Sequence, residues 1–162
     1  MGIFPEIDEN SIYLSRKDPE ELLGSWSRYS FELEGDEWPS VEHYYQAMKF
    51  DNEEYREKIR QASSPAVARK MGRTRLKRIR RDWSNVKEVV MTRAVYIRAR
   101  SYPELAQELL NTGEQTLVEN SQYDYFWGCG RDRRGNNTYG KVLMNVRRKL
   151  RKETDALSDA SS

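Results

Sequence analysis

Cysteine and histidine are almost absent from this 162-residue chain, which holds one of each, Cys129 and His43. A single cysteine excludes an internal disulfide, and one Cys with one His falls short of the four ligands of a structural zinc site. Net charge is nearly absent as well. The 28 basic and 26 acidic side chains leave a formal +2, so no whole-molecule field toward nucleic acid or membrane is implied. No apolar run approaches the roughly 20 residues that span a bilayer. The start, Met1-Gly2-Ile3-Phe4-Pro5-Glu6, lacks the basic-then-apolar pattern of a signal peptide, and Glu6 stands where a myristoylation motif has Ser or Thr. A soluble, cytoplasmic protein is the expectation. Familiar catalytic templates are missing too: there is no His-Glu-x-x-His, no Gly-x-Ser-x-Gly and no Gly-Lys-Ser/Thr phosphate loop. Cys129 has only His43 as a partner base, so a small buried thiol is expected there.

What the chain does have is aromatic bulk. Four Trp, ten Tyr and four Phe can fill the core of one domain of this length. Ile12-Tyr13-Leu14 and Phe31 to Glu34 read as short strands, the second entering a turn at Gly35-Asp36. Asp51 to Ala62 reads as a charged surface helix. Ser64-Pro65 opens another that stops near Gly72. Ser84 to Arg98 is a longer helix with Val86, Val89, Val90, Ala94 and Ile97 as its buried stripe. Pro103 to Leu110 is a helix closed by Gly113, and Leu117-Val118 is a strand. Trp127 to Gly140, rich in glycine and asparagine, reads as a loop, and Val142, Leu143, Val146 and Leu150 belong to a last helix. The expected architecture is α+β: one compact, helix-rich domain with a few short strands over 1–150, and a disordered tail over 151–162.

The segment from Trp38 to Phe50 concentrates the chemistry. Ser40 caps a helix whose Val41, Tyr44, Tyr45 and Met48 face the core. Glu42, Gln46 and Lys49 stand at i, i+4 and i+7 and stack on a single face. Such a row is either a solvated helix face or, lining a pocket, a carboxylate, an amide and an amine turned on a polar substrate.

Two further clusters stand out. Arg69, Lys70, Arg73, Arg75, Lys77, Arg78, Arg80 and Arg81 lead into Asp82-Trp83. This run reads as a solvated connection, as a nucleic-acid patch, or as one or two arginines forked onto a ligand phosphate with Trp83 stacked on its ring. The second cluster is Asp124 to Gly130, continued by Gly135-Asn136-Asn137-Thr138-Tyr139-Gly140. Asp124 beside Trp127 is either a capping carboxylate next to a core indole, or the carboxylate and stacking platform that hydrolysis of a sugar–base bond requires. Glycine amides close to a helix start, with Thr138 as its cap, offer an anion site.

From Gly24 to Leu150 the chain resembles the YbiA-like, or NADAR, family. The motifs follow in order: Trp38 to Ala47 with Lys49-Phe50; Ser63-Ser64-Pro65; Met71-Gly72-Arg73; Arg80 with Asp82-Trp83; Val90-Met91; Leu109-Leu110 with Thr112-Gly113; Leu117-Val118-Glu119; Asp124 with Trp127-Gly128 and Gly130; Gly135-Asn136-Asn137 with Gly140; Leu143-Met144 and Arg147. Two departures accompany them. Gly24-Ser25-Trp26 replaces a Ser-Asn-Phe/Tyr triplet, which places one polar substrate contact in question. Arg98-Ala99 replaces Lys-Phe, a change expected to touch packing more than chemistry.

The resemblance implies the YbiA-like fold and an N-glycosidase that needs no metal or organic cofactor. One branch of the family cleaves the reactive ribosylaminopyrimidine phosphates of riboflavin biosynthesis and releases ribose phosphate. Another removes ADP-ribose from guanine in nucleic acid. A short single-domain chain looks closer to the first branch, with a small phosphorylated ribosyl substrate as its partner and no membrane. Nucleic acid is a partner only under the second, and a non-catalytic nucleotide or ADP-ribose reader is a further alternative. Breaking a sugar–base bond develops positive charge at the anomeric carbon and negative charge on the base. Glu42 and Asp124 are the expected carboxylates, with Glu42 in a first helical turn where the dipole favours negative charge. Lys49 would donate to the leaving group or attack the opened sugar as a Schiff-base amine. Trp127 and Trp83 would sandwich the base, Arg73 and Arg80 would hold the phosphate, and Gln46, Asn137 and the Gly128 loop would complete substrate binding.

Overall fold

The computed structural model describes residues 10–161; the Met1 to Glu6 stretch lies outside them. Within that range the elements are β1 (Ile12–Leu14), β2 (Phe31–Leu33), β3 (Asp36–Trp38), α1 (Val41–Ala47), α2 (Glu53–Arg60), α3 (Pro65–Gly72), α4 (Trp83–Ser101), α5 (Pro103–Leu110), β4 (Leu117–Glu119) and α6 (Thr138–Ala160). This is the α+β, helix-rich architecture expected from the sequence.

Local chemistry explains most boundaries. The Ser40 hydroxyl accepts from the His43 amide at the start of α1, and Asn52 and Ser64 cap α2 and α3 in the same way. β2, an expected strand, forms an antiparallel hairpin with β3, which the expected strands did not include, and the turn falls one residue before the expected Gly35-Asp36. This two-residue turn, Glu34-Gly35, has φ of 58° and 86°, the left-handed pair that a tight hairpin requires. β1 and β4 pair in parallel across about a hundred residues, with Leu14 opposite Glu119. That pairing carries the chain just after β1 toward the loop that follows β4.

Helix α1 lies in the middle, packed by α2, α3 and α4, while α4 rests on α6 and α5. All seven α1 residues are buried, so the Glu42 row is no solvated face. On α4 the stripe is shifted from its expected position. Val89 is exposed and Val86 and Ile97 are half-buried, whereas Val90, Met91, Ala94, Val95 and Ala99 make the core contacts. Those five fall at i, i+1, i+4, i+5 and i+9, one continuous helical face, with Val89 on its outer side. Thr138 does not cap α6. Asn137, at φ 51°, occupies that position, and the loop before it ends there. Nor is the segment from Arg151 a disordered tail: α6 continues to Ala160. Arg151 donates to the Gly113 carbonyl and pairs with Glu114, and Glu153 accepts from the Tyr96 hydroxyl. These anchors supply to a sequence of good helix formers the tertiary contact that its polar pattern lacks.

Candidate active site

Glu42 is fully buried, and both of its oxygens are engaged. Oε2 accepts from Arg16 Nη1 at 2.8 Å and from the Ser25 hydroxyl at 3.0 Å, and Oε1 accepts from Gln46 Nε2 at 2.7 Å. A carboxylate taken out of water this completely needs such charge-assisted bonds. Its backbone amide also donates to the Ser25 carbonyl at 2.9 Å. Ser25 therefore stands where the family triplet has Asn, and the polar contact it makes is to the carboxylate.

Arg16 links the two ends of the chain. Its Nη2 lies 3.8 Å from Asp124 Oδ2, and its guanidinium carbon sits 5.9 Å from the centre of the Trp127 ring. Its own amide donates to Oε1 of Glu119, a buried carboxylate at the end of β4. Burial works to lower the Arg16 pKa, but Glu42 and Asp124 outweigh it and hold the group above its ordinary value. Asp124 is the capping carboxylate of its first sequence reading, with its second oxygen turned to the buried arginine. Oδ1 caps the Phe126 and Trp127 amides at 3.0 and 2.8 Å, while Oδ2 faces Arg16.

Lys49 follows the last turn of α1. Its ammonium donates to the Gly72 carbonyl at 3.4 Å and lies 5.6 Å from the centre of the Tyr45 ring. Burial, together with Arg73, Arg69 and Arg16, brings its pKa down from 10.5 to about 8, against the opposing pull of Glu42. Gly72 has a steric reason for being glycine. A Cβ there would stand 1.9 Å from Gln46 Oε1, so α3 can approach the polar row of α1 only without a side chain at that position.

The remaining expected residues divide. Arg73 caps the end of α3, within electrostatic reach of Lys49. Arg80 does not join it. Its guanidinium forks onto Asp82 at 2.6 and 2.9 Å and lines another groove with Phe50, Asn52 and Lys77, because a carboxylate two residues away satisfies it locally. Trp127 and Trp83 do not form a sandwich. Tyr45 lies between them, 5.5 and 5.1 Å from their ring centres, and its hydroxyl accepts from Trp127 Nε1. Gly128 is buried and its carbonyl accepts the Asn137 amide. The Asn137 side chain is not free for a ribose, since it bridges the Leu117 carbonyl and the Glu119 amide.

Sequence reasoning missed Arg16, Lys17 and Glu119 as parts of this centre, and it did not single out Arg69 from the basic run or Ser25 from its triplet. Burial lowers the pKa of Lys17, aided by Arg69 and Arg16, and that of Arg69, aided by Arg73. Five cations thus gather about three carboxylates, an excess of two positive charges suited to an anionic ligand. Arg69 on α3 and Arg73 at its C-terminal cap, four residues apart, carried a readable signal, one shared side of the helix. Arg16 carried none, because the groups that enclose it, Glu42, Glu119, Asp124 and Trp127, come from distant parts of the chain. His43 is occupied by Ser40 and the Ala62 carbonyl. Among the described residues no group of His, Cys, Asp and Glu could hold a metal ion, and no helix is long and apolar enough to cross a membrane.

The NADAR domain matches residues 10–151. The chain belongs to the NADAR family. It is similar to N-glycosidase YbiA of Escherichia coli (strain K12), with 40% identity over 138 residues, 85% of this chain and 86% of that protein. It is also similar to the chloroplastic riboflavin biosynthesis protein PYRR of Zea mays, with 44% identity over 123 residues that span 70% of this chain and 20% of that protein. In three dimensions this NADAR chain resembles the NMR structure of the E. coli protein YbiA, with a TM-score of 0.81, 38% identity, and coverage of 91% of this chain and 89% of that one.

Proposed function

We propose that this N-glycosidase hydrolyses the ribose–nitrogen bond of ribosylaminopyrimidine phosphates and releases ribose 5-phosphate, a reaction that clears reactive riboflavin-pathway amines from the cytoplasm. The observation that carries the reading is the meeting of Glu42 and Asp124, 82 residues apart, on one buried guanidinium, beside a depressed-pKa lysine and a surplus of cations. The kinship with N-glycosidases and with a riboflavin biosynthesis protein supports the same substrate class.

In this scheme the Lys17, Arg69 and Arg73 cluster receives the phosphate. Glu42, fixed by Arg16, Ser25 and Gln46, supplies negative charge to the anomeric carbon as the carbon–nitrogen bond lengthens. Lys49, with a pKa of about 8, sits near the operating pH where a general acid is most effective. It gives its proton to the departing nitrogen. Water adds to the anomeric carbon and yields its proton to Asp124, the more exposed carboxylate. The same low pKa also favours a second reading, in which the neutral Lys49 amine adds to the C1 imine of the ring-opened glycosylamine and expels the pyrimidine amine, and water then hydrolyses the resulting lysine–sugar imine to release ribose phosphate.

The test is parallel incubation with ribosylaminopyrimidine phosphate and with ADP-ribosylated DNA, following free ribose 5-phosphate and free ADP-ribose. Turnover of the first, lost in Glu42→Gln, is expected. Turnover of the DNA alone, or of neither, would overturn the substrate assignment. Borohydride trapping of a sugar adduct on Lys49 would select the amine-attack route.

A further inference from the structure

We propose that Arg98, on α4, is a positioning residue for this centre: its guanidinium clamps the 23–27 turn that holds Glu42 and Arg16 in register. Arg98 is 2% exposed and forms no ion pair among the described residues. Its Nη1 donates to the Gly24 carbonyl at 2.7 Å and the Ser27 hydroxyl at 3.0 Å, and its Nη2 to the Leu23 carbonyl at 3.3 Å. These three bonds all end on one turn, beside the Tyr139 hydroxyl, which itself donates to the Leu23 carbonyl, and the Arg98 Nε is buried without a hydrogen-bond partner.

A cation confined this way is costly, and an apolar side chain of similar volume would fill the same space without desolvating a charge. What the apolar side chain lacks is the planar fork that reaches three acceptors together. The gripped turn carries Ser25 at its centre. The Ser25 hydroxyl touches Glu42 Oε2 and Arg16 Nη1, its carbonyl takes the Glu42 amide, and the Trp26 amide donates to the Arg16 carbonyl. Arg98 never meets the reacting atoms. It acts through the turn, on the orientation of the carboxylate and its guanidinium partner.

The inference rests on the N-glycosidase reading, and a double-mutant cycle separates the two. Arg98→Lys and Arg98→Met are each prepared in the native and Ser25→Ala backgrounds and assayed for ribose 5-phosphate release. With Ser25 present, Arg98→Lys is expected to lower kcat about tenfold and Arg98→Met about a hundredfold with KM held within about twofold, the scale of a roughly 1 Å misplacement. With Ser25 replaced, the same changes should lower kcat severalfold less, because the hydroxyl link to Glu42 and Arg16 is gone and only the backbone links of the turn remain. Equal losses in both backgrounds, or an unchanged kcat with a lowered Tm, would overturn the positioning role. Should Arg98→Met fail to fold, Arg98→Lys, which keeps the charge, carries the same comparison. A native enzyme inactive on this substrate would refute the function and leave the clamp to be judged on the substrate that is turned over.

Discussion

Replacing Lys49 with Met should stabilise the protein at neutral pH while abolishing turnover, and the gain should vanish in alkali. The interval between 10.5 and about 8 corresponds to roughly 3.4 kcal/mol at about 1.36 kcal/mol per pH unit. Partial exposure of the side chain trims this to about 3 kcal/mol. At pH 7 the amine is protonated in folded and unfolded chains alike, so the native state bears the whole cost of the confined charge. Between about pH 8 and 10.5 the folded lysine is neutral while the unfolded one still binds its proton, and native stability rises with pH across that window. Methionine bears no such cost but forfeits the bond to Gly72, about 1 kcal/mol. The variant should therefore exceed the native chain by about 2 kcal/mol at pH 7, or about 4–8 °C in Tm for a domain of this size. By pH 9.5 the native protein should have regained roughly 2 kcal/mol, leaving the two nearly equal. Urea unfolding of both proteins at the two pH values measures the difference directly, and effects common to both cancel. A variant less stable than the native chain by the same amount at both pH values would refute the idea of a destabilised, functional lysine.

Gly72→Ala sets a methyl group 1.9 Å from Gln46 Oε1, and displacing that amide should cost about 1–3 kcal/mol in denaturant stability and remove most of kcat, while Ala68→Gly on the same helix should cost only stability. Arg69→Gln is expected to raise KM for the phosphorylated substrate about tenfold or more and to leave the dephosphorylated nucleoside unaffected; equal effects on both would assign Arg69 to folding, as read from steady-state kinetics on the two compounds. Asp124→Asn retains an oxygen for the Phe126 and Trp127 amides, so Tm should fall by no more than a few degrees while kcat drops at least a hundredfold; an active Asn variant would remove Asp124 from the chemistry. Arg16→Met strands the Glu42 charge and should cost about 3–5 kcal/mol, more than the double variant with Glu42→Leu, which leaves no unpaired ion.

The legible parts of this molecule were those whose cause is local. Caps at Ser40 and Ser64, the proline-led start of α5 and the apolar spacing of α1 all act within one or two turns, and each stands where the chain itself indicates. The hairpin strand β3 escaped because three residues with two acidic outward positions, Asp36 and Glu37, carry no apolar alternation. The Val89 misplacement has a similar origin, since the four valines of α4 do not share one helical face, and packing against α1 and α6 decides which of them are buried. Asn137 looked like a ligand contact because a polar side chain in a glycine loop reads the same whether it faces ribose or, as here, ties the loop to β4.

The centre itself shows where periodicity stops being informative. Glu42, Gln46 and Lys49 are related by helix geometry and could be grouped from spacing alone. What turns them from a polar stripe into a centre is Arg16, and nothing in the neighbourhood of residue 16 marks it as buried. The groups that enclose it, Glu42, Glu119, Asp124 and Trp127, come from distant parts of the chain, and contacts of that separation leave no pattern in a single sequence. Once Arg16 is inside, the other assignments follow from charge. Glu42 must meet it closely, Asp124 must approach to balance it, Glu119 must fix its backbone, Ser25 shares Glu42 Oε2 with it, and Gln46 fills the remaining oxygen. A buried carboxylate held by three donors has little freedom to wander, and for a reaction whose transition state is a passing positive charge, fixed orientation is the property that matters most.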